Sequence, residues 1–134
     1  MAKYEHLPIF KQMLELAVHI EKTVRHFPRY HKYTLGSELR GFCHHGLGLI
    51  AEANSTRDRR ELLIELRNTL ERMKIHLVLA KEVQAFNKPR AFYQATEMVI
   101  AVSRQNEGWI KSYRRQGRHD GNRQQGQAPA APCT

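Results

Sequence analysis

The chain has 134 residues and a mass of 15.6 kDa, which suits one domain and excludes a two-domain enzyme or a (β/α)₈ barrel. Apolar residues make up 41% and charged residues 26%, so the chain can bury a core and is not wholly disordered. The 22 Lys and Arg residues exceed the 13 Asp and Glu residues by a formal +9, which indicates a polyanionic partner: nucleic acid first, an acidic protein or membrane surface second.

The cysteines and the hydropathy pattern indicate in which cellular compartment the protein is expected. Cys43 and Cys133 lie far apart in the sequence and do not form a disulfide framework, which favours a reducing environment. The first residues form no apolar signal region, and no run approaches the ~18 apolar residues of a membrane span. We therefore expect a cytoplasmic protein that is not associated with a membrane.

The first predicted helix is indicated by apolar residues that recur in steps of three and four. They are Phe10, Met13, Ala17, Ile20, Val24 and Phe27. This spacing places them on one stripe of a helix. Pro8 suits the first turn, where its missing N–H costs nothing, and Pro28 stops the helix or lies just past its end.

The second predicted helix carries an apolar stripe that includes one glycine. Its members are Leu35, Leu39, Phe42, Gly46, Leu49 and Ala53. Gly41, Gly46 and Gly48 weaken this helix by up to ~1 kcal/mol each relative to alanine. Close approach to a neighbouring helix would explain these glycines, and a helix kink is the competing explanation.

The third and fourth predicted helices follow after two breaks in the pattern. The third is the longest, from about Arg57 to Ala85, and Pro89 opens the fourth. The stripe of the third helix is Leu63, Leu66, Leu70, Met73, Leu77 and Ala80. That of the fourth is Phe92, Ala95, Val99, Val102, Asn106, Trp109 and Tyr113, in which Asn106 is the one polar member.

The fold class follows from these four stripes. No stretch alternates with period 2, so we expect no strands. Four helices with short connections predict an all-α, antiparallel up-down four-helix bundle over residues 1–114. Residues 115–134 are predicted to form a disordered basic tail, because from Gly117 onward they include no large apolar residue to offset the entropy of ordering.

The third predicted helix is apolar beyond its core stripe. The additional residues are Ile64, Ile75, Val78 and Leu79, with Phe86 beyond them. A wide buried face is one explanation. We favour a subunit interface, because these residues reach two sides of the helix.

No enzymatic or metal-binding motif is evident. The sequence has no zinc-protease motif, paired Cys-x-x-Cys, phosphate-binding loop or nucleophile elbow. His44 and His45 are adjacent, so on a helix they diverge by ~100° and cannot share a metal ion. We expect no catalytic residue, no metal site and no cofactor. An RNA-processing enzyme would need an acid–base pair, for which His26 and His31 are the available candidates.

The most regular basic pattern is a line of four cations at seven-residue spacing. Its members are Arg60, Arg67, Lys74 and Lys81. Because a helix drifts only ~20° per seven residues, they form one continuous line along the third helix. This line suits a row of phosphates. A stripe of salt bridges is the alternative, since acidic residues lie at helical spacing nearby.

Two further clusters combine cations with other features. Arg25, Arg29 and Lys32 are interleaved with aromatic residues before the second helix, a composition able to bind phosphates and stack on bases. A helix connection whose aromatics cap the core is the alternative. Lys111, Arg114 and Arg115 form a basic helix end, where cations also suit the helix dipole.

Several short motifs, taken in order, resemble the accessory variability determinant proteins of diversity-generating retroelements. They also resemble the wider four-helix-bundle family encoded in intervening sequences of bacterial 23S ribosomal RNA genes. The motifs span about residues 8–113. They are Phe27-Pro28-Arg29, Tyr33-Thr34-Leu35-Gly36, Ile50-Ala51-Glu52-Ala53-Asn54, Leu70-Glu71-Arg72-Met73-Lys74, Leu77-Val78-Leu79-Ala80-Lys81-Glu82 and Gly108-Trp109-Ile110-Lys111-Ser112. The last of these favours the retroelement branch.

This resemblance implies a homopentameric four-helix bundle with a basic surface. It also implies binding to RNA or DNA and to the reverse transcriptase of the retroelement, in support of mutagenic cDNA synthesis. The leading hypothesis is thus a non-catalytic nucleic-acid-binding accessory protein. The alternative is a protein-interaction scaffold of the ribosomal intervening-sequence family that does not bind nucleic acid.

Overall fold

The computed structural model describes the backbone of residues 3–123 and the side chains of residues 4–114. Within that range the chain is helical and contains no strand, as the apolar spacing predicts. A 3₁₀ helix, Lys3–His6, precedes α1 (Pro8–Val24), α2 (Arg29–Lys32), α3 (Leu35–Asn54), α4 (Arg60–Glu82) and α5 (Pro89–Arg123). None of the described helices has the length and apolar content needed to cross a bilayer.

The four long helices enclose one core, and each packs against two others. Helix α1 contacts α3 and α5, and α4 contacts the same two helices. Contacts between α4 and α5 run in opposite chain order. Arg67 bonds Glu107, whereas Asp58, before α4, bonds Tyr113 further along α5. This arrangement is compatible with a four-helix bundle.

The described core consists largely of the predicted stripes. Its largest fully buried side chains are Met13, Leu16, Ile20, Leu39, Ile50, Leu63, Leu66, Leu70, Met73, Leu77, Val99 and Val102. Asn106 is also fully buried, and its Nδ2 donates a hydrogen bond to the Leu63 carbonyl at 3.0 Å. Near the end of the fourth stripe, Ile110 is buried, whereas Trp109 and Tyr113 are half-buried at the core's edge.

Helix α4 is shorter at both ends than the predicted segment from Arg57 to Ala85. It begins at Arg60 after a turn and ends at Glu82. Just beyond it, Gln84 adopts a left-handed φ of 60° and the Ala85 N–H bonds the Ala80 carbonyl at 2.8 Å. This geometry closes a helix by satisfying carbonyls of its last turn. The 23 residues of α4 span ~34 Å.

The glycines of α3 differ in their surroundings. A Cβ at Gly46 would lie 2.8 Å from Met13 Cε, so Gly46 allows close approach of α1, one of the two predicted explanations. A Cβ at Gly41 or Gly48 would meet no atom within 4 Å. Close approach within the described chain therefore accounts for Gly46 but not for the other two.

Helix α5 continues past the domain boundary predicted at residue 114. Its described backbone is helical to Arg123, and the disorder expected of residues 115–134 stays a prediction. Extending an existing helix requires no new nucleation, which favours this continuation despite the polar sequence. The rest of the predicted tail, residues 124–134, lies outside the described residues, as do the side chains from residue 115 onward.

Candidate nucleic-acid interface

One end of the molecule is closed by three phenylalanines. Phe27 follows α1, Phe86 lies between α4 and α5, and Phe92 is in the first turn of α5. The Phe86 ring centroid lies 5.2 Å from that of Phe27 and 5.7 Å from that of Phe92, edge to face in both pairs. These contacts bring the segments 22–36 and 81–93 to one place, which we call the aromatic end.

The surface of the aromatic end is rich in cations. Residues 22–33 include four Lys or Arg residues and no acidic residue, and residues 81–90 include three against one. These cations are Lys22, Arg25, Arg29, Lys32, Lys81, Lys88 and Arg90. None of them forms an ion pair with a carboxylate in the described part of the chain. Their charge is therefore available to a partner.

Two tyrosines stand among these cations. Tyr30 is 77% exposed and Tyr33 is 68% exposed. Lys32 Nζ lies 5.9 Å from the centroid of the Tyr33 ring, whereas Arg25 and Arg29 are exposed. The predicted cluster of Arg25, Arg29 and Lys32 thus forms a surface on which aromatic rings and cations alternate. The core is closed by Phe27, so the alternative of a core-capping aromatic holds for that residue, whereas binding of phosphates and bases by the exposed residues stays a prediction.

The predicted line on α4 is interrupted by internal ion pairs. Arg67 Nε and Nη2 donate to the two carboxylate oxygens of Glu107, each at 2.7 Å. This bidentate bond raises the pKa of Arg67 and lowers the pKa of Glu107. Lys74 Nζ lies 2.8 Å from Glu71 Oε2, one helical turn away. For Arg67 and Lys74 the salt-bridge alternative is therefore the one observed.

The two outer members of the line lie apart from these pairs. Lys81 is exposed at the aromatic end, with its Nζ 5.3 Å from the centroid of the Phe92 ring. Arg60 is half-buried at the opposite end of α4, and its buried Nε has no hydrogen-bond partner. The line therefore does not present four equivalent cations, and Lys81 joins the cations of the aromatic end.

The third predicted cluster lies at the other end of the molecule, among carboxylates. Lys111 and Arg114 are exposed, and their charges contribute to the lowered pKa of Glu107 after the larger effect of Arg67. The Tyr113 hydroxyl donates to Asp58 Oδ1 at 2.7 Å. The Arg115 side chain lies outside the described residues. We call residues 52–67 and 106–114 the ion-paired end.

The predicted interface residues fall into two groups. Ile75, Val78 and Leu79 are exposed by 66%, 52% and 47% on the outer face of α4. Ile64 is half-buried and packs against the small cluster of Ala53, Leu63 and Ile110. The outer face of α4 thus carries three exposed aliphatic residues, whereas Ile64 already contributes to packing within the chain.

The adjacent histidines of α3 diverge, and the cysteine beside them is buried in the core. His44 and His45 bond carboxylates on different helices, Glu21 of α1 at 3.3 Å and Glu65 of α4 at 3.2 Å. No group of three or more His, Cys, Asp or Glu residues converges among the described residues. Cys43 is 1% exposed, and burial raises the pKa of its thiol to about 12, so it acts as a small apolar residue.

A groove of about 600 Å³ lies between the start of α1 and the middle of α5. Gln12, Arg104 and Trp109 line it together with apolar side chains. The buried Oε1 of Gln12 has no hydrogen-bond partner. No acid–base pair faces this groove, because Arg104 is the one charged residue in its lining.

Arg90 and Tyr93 also belong to the surface of the aromatic end, although the sequence pattern does not predict them as site residues. Arg90 is exposed beside Lys88, and Tyr93 is 57% exposed in the first turns of α5. The available signal was a connection rich in cations without acidic residues, as in the segment around Arg25. The two connections meet because of the contacts that Phe86 makes. These contacts cannot be predicted from local spacing.

The sequence matches no protein-family model, and no curated protein matches it. The resemblance to retroelement accessory proteins accordingly stays a prediction. Its motifs include residues of the aromatic end, such as Phe27 and Tyr33, and residues of the ion-paired end, such as Trp109. The geometry of these residues, described above, is independent of that resemblance.

Proposed function

We propose that this chain is a non-catalytic accessory protein of a diversity-generating retroelement. In this role it binds the reverse transcriptase together with template RNA or cDNA in the cytoplasm, and it requires no cofactor. The motifs suggest the polymerase partner. The chemistry of the aromatic end supports the nucleic-acid partner.

The observation that carries the proposal is the set of unpaired cations at the aromatic end. A cation that already bonds a carboxylate must break that bond before it can bind a phosphate. Arg25, Arg29 and Lys81 have no such partner within the described residues. Phosphate contacts are sequence-independent, so this surface suits the backbone of either RNA or DNA.

The bundle is proposed to be antiparallel, up-down and oligomeric. The opposite chain order of the contacts between α4 and α5 supports the topology. The exposed residues Ile75, Val78 and Leu79 support an interface between copies of the chain, because three neighbouring aliphatic side chains in water are unfavourable. The number of five subunits derives from the family resemblance.

A protein-interaction scaffold without nucleic-acid binding is the second candidate. The internal pairing of Arg67 and Lys74 favours it, because two of the four cations in the predicted line already have carboxylate partners. On this account the basic surface docks an acidic protein. The two candidates differ in their behaviour toward a bare nucleic acid.

A salt titration tests the leading proposal. We expect the purified chain to bind short RNA and DNA at ~50 mM salt and to lose affinity steeply by ~500 mM, because each neutralised phosphate releases counterions. Fluorescence anisotropy with labelled oligonucleotides measures this. Absence of binding at low salt would leave the scaffold, and cleavage of the RNA by pure protein would instead indicate an enzyme.

A pair of matched substitutions tests the oligomer. We expect Val78→Asp to dissociate it with little change in helicity, because a buried unpaired carboxylate is costly at an interface. Leu14→Asp on α1 is the control, since Leu14 is exposed to a similar extent, 46% against 52%. Light scattering reports the mass. An unchanged mass for Val78→Asp would contradict the proposed interface.

A further inference from the structure

Two tyrosines of the aromatic end, Tyr30 and Tyr33, have the most exposed large apolar side chains in the described range. Tyr30 is in α2 and Tyr33 directly follows it, with exposures of 77% and 68%. Neither ring closes the core, because Phe27 does so at 5% exposure. The rings are thus available to an external ligand.

The segment that carries these tyrosines is held firmly from both sides. Before it, Phe27 is anchored against Phe86. After it, Gly36 packs so closely that an added Cβ would lie 2.6 Å from Val24 Cγ1. Within it, the Thr34 hydroxyl donates to the Tyr30 carbonyl at 2.9 Å. A segment fixed in this way presents its side chains in a set direction, which lowers the entropy lost when a ligand binds.

The charges around the tyrosines restrict the class of ligand. Arg29 and Lys32 flank Tyr30, and no acidic residue occurs between residues 22 and 33. An aromatic ring beside a cation suits a ligand that combines a flat π-surface with a negative charge. Each nucleotide of a single strand offers that combination, because its base is unstacked and its phosphate is adjacent. In a duplex the bases are stacked on each other, and their faces are not accessible.

We propose that Tyr30 and Tyr33 form a stacking platform for unpaired bases, so that the aromatic end binds single-stranded nucleic acid in preference to duplex. Arg25, Arg29 and Lys32 then bind the phosphates of the same strand. This inference depends on the proposed nucleic-acid binding and narrows it to one conformation of the ligand. Preference for a particular sequence does not follow, since every base has a π-face.

The test compares three probes, of which the two single strands carry equal numbers of phosphates and the duplex carries more charge per unit length. They are a short labelled oligo(dT), an abasic strand of equal length, and the duplex formed by the oligo(dT) with its complement. At low salt we expect the oligo(dT) to bind about 5- to 100-fold more tightly than the abasic strand, as expected when one or two bases stack on aromatic rings. The duplex should also bind more weakly than the oligo(dT).

Paired variants assign the effect to the rings. Tyr30→Ser with Tyr33→Ser removes both rings, and Tyr30→Phe with Tyr33→Phe retains them. We expect the serine variant to lose the preference for oligo(dT) over the abasic strand and the phenylalanine variant to keep it. Both variants should melt near the parent temperature because the two side chains are largely exposed.

The outcomes separate this inference from the proposed function. Equal affinity of the parent for oligo(dT), abasic strand and duplex would overturn the stacking platform and leave nucleic-acid binding intact. A preference for oligo(dT) that survives in the serine variant would place the stacking elsewhere and overturn the assignment. Absence of binding to all three probes would overturn the inference and the proposed function together.

Discussion

The two ends of this helical molecule use similar residues in opposite ways. At the aromatic end, rings close the core and the cations around them form no ion pair within the described residues. At the ion-paired end, two arginines make contacts that hold the fold, although Arg57, Lys111 and Arg114 form no ion pair there in the described range. Arg67 bonds Glu107, and the Arg59 guanidinium lies 5.5 Å from the Trp109 ring centroid. Residues 52–61 include three arginines and three acidic residues, so their charges balance.

This difference shows why the number of cations alone is a poor guide to a binding surface. Each end has several Lys and Arg residues. An arginine that holds two helices together is not free to bind a phosphate, whereas one beside a closed aromatic core is. The aromatic rings stabilise their end by apolar packing, so the cations there are not needed for ion pairs within the described fold.

The largest expected effect concerns the packing of the aromatic end. Phe27→Ala should lower the free energy of unfolding by about 3–5 kcal/mol, because Phe27 is buried among core residues. Urea denaturation measures this change. Tyr30→Ala, at an exposed position three residues later, should shift it by less than ~0.5 kcal/mol. A similar cost for both would mean that the rings do not close this end.

Charge-reversal variants compare how much each end contributes to oligonucleotide binding. Arg25→Glu, Arg29→Glu and Lys32→Glu together should weaken oligonucleotide binding at low salt by about 100-fold, equivalent to ~2.7 kcal/mol. The matched triple variant at the ion-paired end is Arg57→Glu, Lys111→Glu and Arg114→Glu, all at exposed positions. It should weaken binding by less than ~5-fold. Anisotropy titrations that rank the two variants in the reverse order would relocate the interface.

A glycine pair on α3 tests how tightly the aromatic end is packed. Gly36→Ala should destabilise the fold by about 1–3 kcal/mol, because the new Cβ meets Val24 and the fixed His31 carbonyl oxygen, 3.3 Å away. Gly41→Ala on the exposed face of the same helix should stabilise by up to ~1 kcal/mol. Thermal melts of both variants measure this. Stabilisation by Gly36→Ala would show that the end is loosely packed.

The smallest effect concerns pH and the ion-paired end. The Arg67 bond lowers the pKa of Glu107, so ionised Glu107 stabilises the fold above the ordinary carboxyl pKa of ~4.3, and this contribution is lost as pH falls through the lowered value. Glu107→Gln should cost below ~1 kcal/mol at pH 7, since the pair is partly exposed.

The control for that variant is Glu97→Gln, an exposed carboxylate on the same helix. Melting temperatures from pH 7 down to about pH 3 should show the Glu107→Gln gap closing, while Glu97→Gln follows the parent throughout. A gap that persists at the lowest pH would assign the role of Glu107 to its hydrogen-bond geometry rather than its charge.

Much of the helical architecture was predictable because apolar spacing on a helix is a local property. The start of α1 at Pro8 and of α5 at Pro89 follows from the first-turn preference of proline. The ends of α4 were not predictable, since Gln84 provides no sequence signal for a left-handed φ. Phe27 lies beyond the last residue of α1, yet its burial was predicted, because it continues the apolar spacing of the first stripe.

The candidate site was less predictable because it depends on which cations find partners. The seven-residue spacing correctly places Arg67 and Lys74 on α4. Lys74 pairs with Glu71, a neighbour on the same helix. Arg67 pairs with Glu107, which lies on a separate helix, forty positions away. Spacing within one helix cannot reveal a carboxylate partner on another helix. The composition of residues 22–33 was more informative, because a segment without acidic residues cannot neutralise its own cations.

The buried amide of Asn106 has a consequence for how the chain selects one alignment. Leucines, valines and alanines recur along α4 and α5, so a slip by one turn would still pair apolar side chains with each other. The observed alignment gives the Asn106 Nδ2 an acceptor on Leu63 and leaves its buried Oδ1 without a partner. An alignment that lost this bond would leave the whole amide unsatisfied in a dry interior. A single side chain thereby favours registers that place a carbonyl opposite it, and with them the side of the molecule on which each connecting loop emerges.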